Sequence, residues 1–233
     1  MTGSVDRRDD AGVTELRLNR PERRNALTTE LLRELQAHLA SIQDDPQTRV
    51  LILLGAGDVF CAGADVKEFP PDAPPQLGLV RIRLVADVLR RLRELEQPTV
   101  AAVTGPAIGA GWGLALACDL CFAAREATFS LPEVHKGFRL PGPLVARLIQ
   151  VVGPVRAAEI VFGGAVHSAE EALHGGWVTR LSPTSDDVVE EARRLAAGLA
   201  SRPRRALLVV KNALRQATPV GPLPPMELVW NEE

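Results

Sequence analysis

The sequence predicts a single α/β domain in which strands dominate the first half and helices the second. Two patterns carry that expectation. In the first half, short apolar or alternating runs are separated by stretches with apolar residues at helical spacing. Beyond Pro141 the spacing is almost wholly helical. Length agrees: 233 residues, 46% hydrophobic and 24% charged, fill one core, with room for at most a small helical appendage.

The first ten residues carry Asp6, Arg7, Arg8, Asp9 and Asp10 without an apolar stretch. They read as neither a secretory signal nor a membrane span, and a cytoplasmic location is expected. Val13-Thr-Glu-Leu-Arg-Leu18 alternates like a half-buried strand and ends at Asn19-Arg-Pro21. Thr28 is placed to cap a helix whose Leu31, Leu32, Leu35, Leu39 and Ile42 share one face, and Asp44-Asp45-Pro46 stops it before the strand Val50-Leu-Ile-Leu-Leu54.

Pro70, Pro71, Pro74 and Pro75 exclude a regular element. The helix after them is expected to bury Val80, Leu84, Val88 and Leu92 and to turn Arg81, Arg90, Arg91 and Arg93 toward solvent, interleaved with Asp87, Glu94 and Glu96. Thr99-Val-Ala-Ala-Val103 reads as a buried strand, and residues 105–113 as a glycine-rich turn entering a helix. Short strands are expected near residues 120–123 and 128–130. Ser168 and Glu171 form a capping-box pair, and Asp186 and Asp187 open a helix running to Leu199. The proline-rich stretch 219–225 reads as a poorly fixed terminus.

Composition removes several function classes. With 27 basic and 29 acidic residues the net charge is −2, without the basic footprint of a nucleic-acid binder. Cys61, Cys118 and Cys121 are too few and odd in number for a disulfide framework, and Cys118-Asp-Leu-Cys121 lacks the second ligand pair of a zinc site. Buried, reduced thiols are expected. Gly109-x-Gly111-x-Gly113 lacks the spacing of a dinucleotide fingerprint, and Pro106 interrupts its turn.

Two loops remain as candidates for chemistry: Phe60-Cys-Ala-Gly-Ala-Asp65, and Gly105-Pro-Ala-Ile-Gly-Ala-Gly-Trp-Gly113. Their small residues let a ligand approach the main chain. A helix starting near Ala110 would aim unpaired N–H groups and a positive dipole end at that ligand, which suits an oxyanion such as an enolate. Enolate formation also needs a base. Glu133, in Leu131-Pro132-Glu133, stands at the end of a short strand, where the residues alone leave it either a base or an exposed carboxylate.

Asn19-Arg-Pro21, Asn25-Ala-Leu27, Phe60-Cys-Ala-Gly-Ala-Asp65, residues 105–114 with Ala-Cys-Asp119, and Pro132-Glu133 follow one another in an order that resembles the crotonase superfamily, the enoyl-CoA hydratase/isomerase group. The resemblance runs from about residue 13 to about residue 216. It implies a right-handed spiral of β-β-α units over residues 1–195, and a C-terminal helical trimerisation region over 196–233, shortened relative to the family. It implies acyl-CoA thioester chemistry, with the N–H groups of Ala64 and Ala110 as oxyanion donors and Glu133 as acid/base. Arg24, Ala26, Ala62, Asp65, Val66 and Lys67 are the expected coenzyme A contacts. Homotrimers or hexamers are expected, with no nucleic-acid or membrane partner, no metal, and no cofactor beyond the coenzyme A of the substrate.

The family pattern also breaks. Family hydratases carry a second glutamate where this chain has Gly113, so single-base double-bond isomerisation is expected over hydration. The alternatives are a catalytically silent acyl-CoA binding or assembly protein, or another crotonase reaction such as decarboxylation or thioester hydrolysis. Trp112 is expected in the core. His135 is expected at the surface, with a role in orienting water or a leaving group as its alternative.

Overall fold

The computed structural model describes residues 3–68 and 75–217. Pro70, Pro71 and Pro74 and the tail 219–225 therefore lie outside the described residues, whereas Pro75, expected outside any regular element, is the first residue of a helix, where a proline N–H is not needed. Ser4–Asp10 (β1) and Val13–Asn19 (β2) form a hairpin, followed by the helix Thr29–Asp44 (α1) and the strand Val50–Gly55 (β3). Pro75–Glu94 (α2) then leads to Thr99–Val103 (β4), Ala107–Ile108 (β5), Ala110–Ala117 (α3), Leu120–Ala124 (β6) and Thr128–Ser130 (β7). The rest comprises Gly142–Val152 (α4), Pro154–Gly163 (α5), Val166–Ser168 (β8), Ala169–His174 (α6), Arg180–Ser182 (β9), Ser185–Ala200 (α7) and Arg204–Ala217 (α8).

The large sheet has the order β1-β2-β3-β4-β6-β9 and is parallel except for the β1 hairpin. A parallel sheet is covered on both faces, and β3 and β4 are accordingly apolar and buried throughout. Val50, Ile52 and Leu54 point to α7, where they meet Val188, Ala192 and Ala196. Leu51 and Leu53 point the other way, into the main core with α1, α2 and α3. The small sheet β5-β7-β8 carries the second glycine-rich loop.

Helix ends follow local chemistry. Thr28 Oγ1 accepts from Leu31 N at 3.1 Å and starts α1, while Ser168 with Glu171 and Thr184 with Asp187 close capping boxes on α6 and α7. Trp112, fully buried as expected, packs against Phe129 and Trp177 at ring-centroid distances of 5.7 and 5.5 Å. All three cysteines are free and buried, and burial pushes the Cys61 and Cys118 thiols up to about 12.

Further expectations need correction, and the first strand was not singled out by the sequence. The charged N-terminus forms β1, an edge strand whose sole deeply buried side chain is Val5. The late region includes the three-residue strands β8 and β9, so it is not purely helical. And α2 keeps its expected face at Val88 and Leu92, which are buried, and at Leu84, which packs on the core, but departs from it at its start: Val80 is 57% exposed, whereas Arg81 is only 4% exposed. The Arg81 guanidinium donates to the Leu27 carbonyl and pairs with Glu68, and these tertiary bonds outweigh the apolar periodicity of α2. Arg93 is half-buried too, not turned to solvent. No described helix is long and apolar enough to cross a membrane.

Candidate active site

Loop residues 60–65 leave β3, and the strand-like segment around Cys61 runs parallel to β5. Cys61 N donates to Pro106 O at 3.2 Å and Ile108 N to Cys61 O at 2.9 Å. On its other side the loop is tied to the start of α1, with Leu27 N donating to Gly63 O at 2.7 Å and Asp65 N to Leu27 O at 2.9 Å. In that pairing the Ala64 N–H is skipped, and it makes no hydrogen bond among the described residues. The Ala110 N–H is likewise unpaired, because it opens α3; the first loop-to-helix bond runs from Gly113 N to Gly109 O at 3.0 Å.

Close packing of glycines brings these two groups together. Gly63 has φ +82°, and a Cβ there would lie 2.6 Å from Ile108 O and 3.4 Å from Ala110 N. Gly109, with φ +56°, caps α3, and a Cβ on it would lie 2.2 Å from Glu133 Oε1. The Glu133 carboxyl therefore lies against the main chain beside the Ala110 N–H. Its Oε2 is buried without a hydrogen-bond partner among the described residues. Burial pushes this carboxyl up to about 7, against smaller opposing pulls from its own backbone N–H and Lys136. A carboxyl titrating near neutrality can both take up and release a proton.

Around this centre stand residues that sequence reasoning did not single out. Asn25, fully buried and at φ +54°, accepts from Arg20 N at 2.9 Å and donates to Ala56 O at 2.8 Å and Val59 O at 2.7 Å, which fixes the entry to the first loop. Arg20 pairs with Asp65 at 2.6 Å. Burial works against the Asp65 charge, but Arg20 and the Lys67 N–H outweigh it and hold its pKa below the ordinary value. Glu68 accepts from Thr29 N and Oγ1 at the start of α1 and joins Arg81 to the same loop. Asn25 and Arg20 sit inside quoted motifs, so a signal existed. For Arg81, hidden in an arginine-rich stretch, there was none.

The expected coenzyme A contacts fall along one rim of the site. Arg24, Val66 and Lys67 are exposed, Ala26 and Ala62 partly buried, and Asp65 is buried in its ion pair with Arg20. Ala62 N donates to Arg24 O at 2.9 Å, so the two segments are joined. His135 is exposed as expected, and its Nε2 meets Phe162 O at 2.9 Å.

Comparison with known proteins decides the family. The family model for enoyl-CoA hydratase/isomerase matches residues 8–224. The 2,3-dehydroadipyl-CoA hydratase of Escherichia coli is 38% identical over 210 residues, covering 90% of this chain and 80% of that protein. The chain belongs to the enoyl-CoA hydratase/isomerase family. The human mitochondrial enoyl-CoA hydratase domain-containing protein 2 is 36% identical over 216 residues, covering 91% of this chain and 73% of that one. The crystal structure of an enoyl-CoA hydratase from Bacillus anthracis superposes with a TM-score of 0.85 at 34% identity, covering 90% of this chain and 81% of that chain. The fold is thus the crotonase fold.

Gly113 stands where the sequence resemblance places a second carboxylate. A Cβ at Gly113 would lie 2.9 Å from Leu144 Cδ1 and 3.2 Å from Leu89 Cδ1. Two leucines pack beside the position, so its surroundings are hydrocarbon rather than carboxylate.

Proposed function

We propose that the protein catalyses proton transfer on an acyl-CoA thioester, with double-bond isomerisation favoured over hydration. The observation that carries this reading is one buried carboxyl, Glu133, beside the unpaired N–H groups of Ala64 and Ala110, with Gly113, Leu89 and Leu144 where a second carboxylate would be needed. In this scheme the Glu133 carboxylate removes a C2 proton from a 3-enoyl thioester. The electrons move onto the thioester oxygen, and the two N–H groups bind the charge as it develops. The Glu133 carboxylic acid then returns the proton at C4, leaving the double bond between C2 and C3. Neither step consumes redox equivalents, so coenzyme A enters only as part of the substrate.

Arg24, Ala26, Ala62, Asp65, Val66 and Lys67 are proposed to border the coenzyme A moiety, with Asp65 acting through the loop it holds. Self-association is part of the same reading. Val209, Val210 and Leu214 on α8 are exposed apolar residues with Leu207 and Leu208 partly buried beside them, and Val155 and Phe162 on α5 are 83% and 70% exposed.

Hydration is the second reading, favoured by the similarity to the 2,3-dehydroadipyl-CoA hydratase of Escherichia coli. Side-by-side assays of a 3-enoyl-CoA and a 2-enoyl-CoA of equal length separate the two. Faster isomerisation is the expected outcome, and faster hydration overturns the preference.

A further inference from the structure

A cavity of about 830 Å³ opens between α1, α2, α3, α4 and α8, outside the site just described. Neither Glu133, Ala64 nor Ala110 lines it. Its link to them is Gly113, which forms part of its wall and whose N–H bonds Gly109 O. At 1.5 Å rise per residue, Gly113 is roughly 5 Å along α3 from Ala110, and Ala117, also on the wall, is roughly 10 Å from it.

The wall changes character along this path. Near Gly113 it is hydrocarbon, from Leu89 and Leu144. Farther along α2 and α4 stand Arg93 and Arg147. Other cations of the cavity are accounted for: Arg90 and Arg91 pair with Asp87 on their own helix, and Arg215 donates to Glu94 O. Arg147 Nε donates to Leu116 O at 3.0 Å but has no carboxylate within ion-pair distance, and Arg93 makes no hydrogen bond or ion pair among the described residues. The acid that faces both electrostatically, Asp119, is already paired with Lys211 at 2.8 Å and accepts from Thr99. Burial, together with Arg93, pulls the Arg147 guanidinium down to about 10. Asp44, Glu94 and Glu96 also line the cavity, but Glu94 pairs with Arg90. Among the described residues no carboxylate lies within ion-pair distance of Arg93 or Arg147, so these two half-buried guanidinium groups on one wall are left to favour a planar oxyanion.

We propose that this cavity receives an acyl group ending in a second carboxylate, its methylenes passing Leu89 and Leu144 and its terminal carboxylate held by Arg93 and Arg147. The inference rests on the acyl-CoA reading above and deepens it by naming a substrate class. An apolar approach ending in paired cations fits a dicarboxylic half-thioester better than a plain fatty acyl chain, whose terminal methyl group would leave both arginines unpaired.

Calorimetric binding of two saturated thioesters, adipyl-CoA and hexanoyl-CoA, tests the inference without requiring turnover. Wild-type protein is expected to bind adipyl-CoA about 10-fold or more tightly, the scale of one charge-assisted hydrogen bond. In Arg93→Met, which keeps an apolar stem and breaks no hydrogen bond of the fold, the adipyl-to-hexanoyl ratio should fall toward one. Arg147→Met should do the same, with its fold checked by circular dichroism because it loses the Leu116 contact. Equal affinities in wild type, or a ratio retained in both variants, overturn the inference while leaving the acyl-CoA reading intact. If neither thioester binds, the acyl-CoA reading itself has failed and the inference falls with it.

Discussion

The two halves of the candidate site are built differently. The donor half is backbone, held by the bridges of Cys61 to Ala107 and of Leu27 to Ala64, and its entry is tied by a fully buried Asn25. The base half is one side chain, on a turn whose next six residues, 134–139, are exposed in the protomer. The contrast teaches that side-chain replacement should leave the first half working and disable the second.

Glu133→Gln tests the fragile half and should have the largest effect. It keeps shape and removes the basic carboxylate, so kcat should fall on the order of 10²–10⁴-fold, with acyl-CoA affinity by calorimetry little changed. Wild-type turnover in this variant would remove Glu133 as base and make His135 the next candidate, despite its contact with Phe162 O.

The donor half calls for a backbone change. Ala110→Pro deletes the N–H at the first position of α3, where proline is tolerated, and should lower kcat about 10²–10³-fold, whereas Ala110→Ser should stay near wild type. Equal losses in both variants would mean that the side chain at 110 matters, and the contrast between the halves would fail.

The last effect is thermodynamic. Because the Glu133 carboxyl lies at about 7 in the fold against an ordinary 4.5, the native state favours the protonated acid. The resulting penalty is absent below the ordinary value, grows as pH rises from 4.5 to about 7, and is constant above. Glu133→Gln should therefore melt roughly 6–12 °C above wild type at pH 8, for a penalty of about 3 kcal/mol, and level with it at pH 4. Wild-type kcat/KM should rise with pH to a plateau above about 7. Identical melting differences at both pH values would refute the buried-acid account.

Much of the donor half was legible because it depends on local signals. Small residues mark both loops, and the capping Thr28, the breaker Pro46 and the apolar run of β3 place the elements around them. Gly113 was legible as a missing carboxylate, but not the closure of Leu89 and Leu144 over it, since residues so far apart in sequence give no local signal. Hydrophobic periodicity failed where distant polar partners decide. Arg81 is buried because the Leu27 carbonyl and Glu68 await it, and β1 exists because β2 offers an unpaired edge. Three-residue strands such as β8 and β9 are too short to show a period.

The packing of Trp112 has an optical consequence. The chain contains no tyrosine and three tryptophans, so its near-ultraviolet emission is that of indole alone. Trp112 lies on α3 two residues beyond Ala110, enclosed by Trp177 and by His167 at a ring-centroid distance of 6.2 Å. Charge arriving at the N-terminus of α3 changes the field across that indole, and the fold thereby carries its own fluorophore on the helix where a ligand would dock.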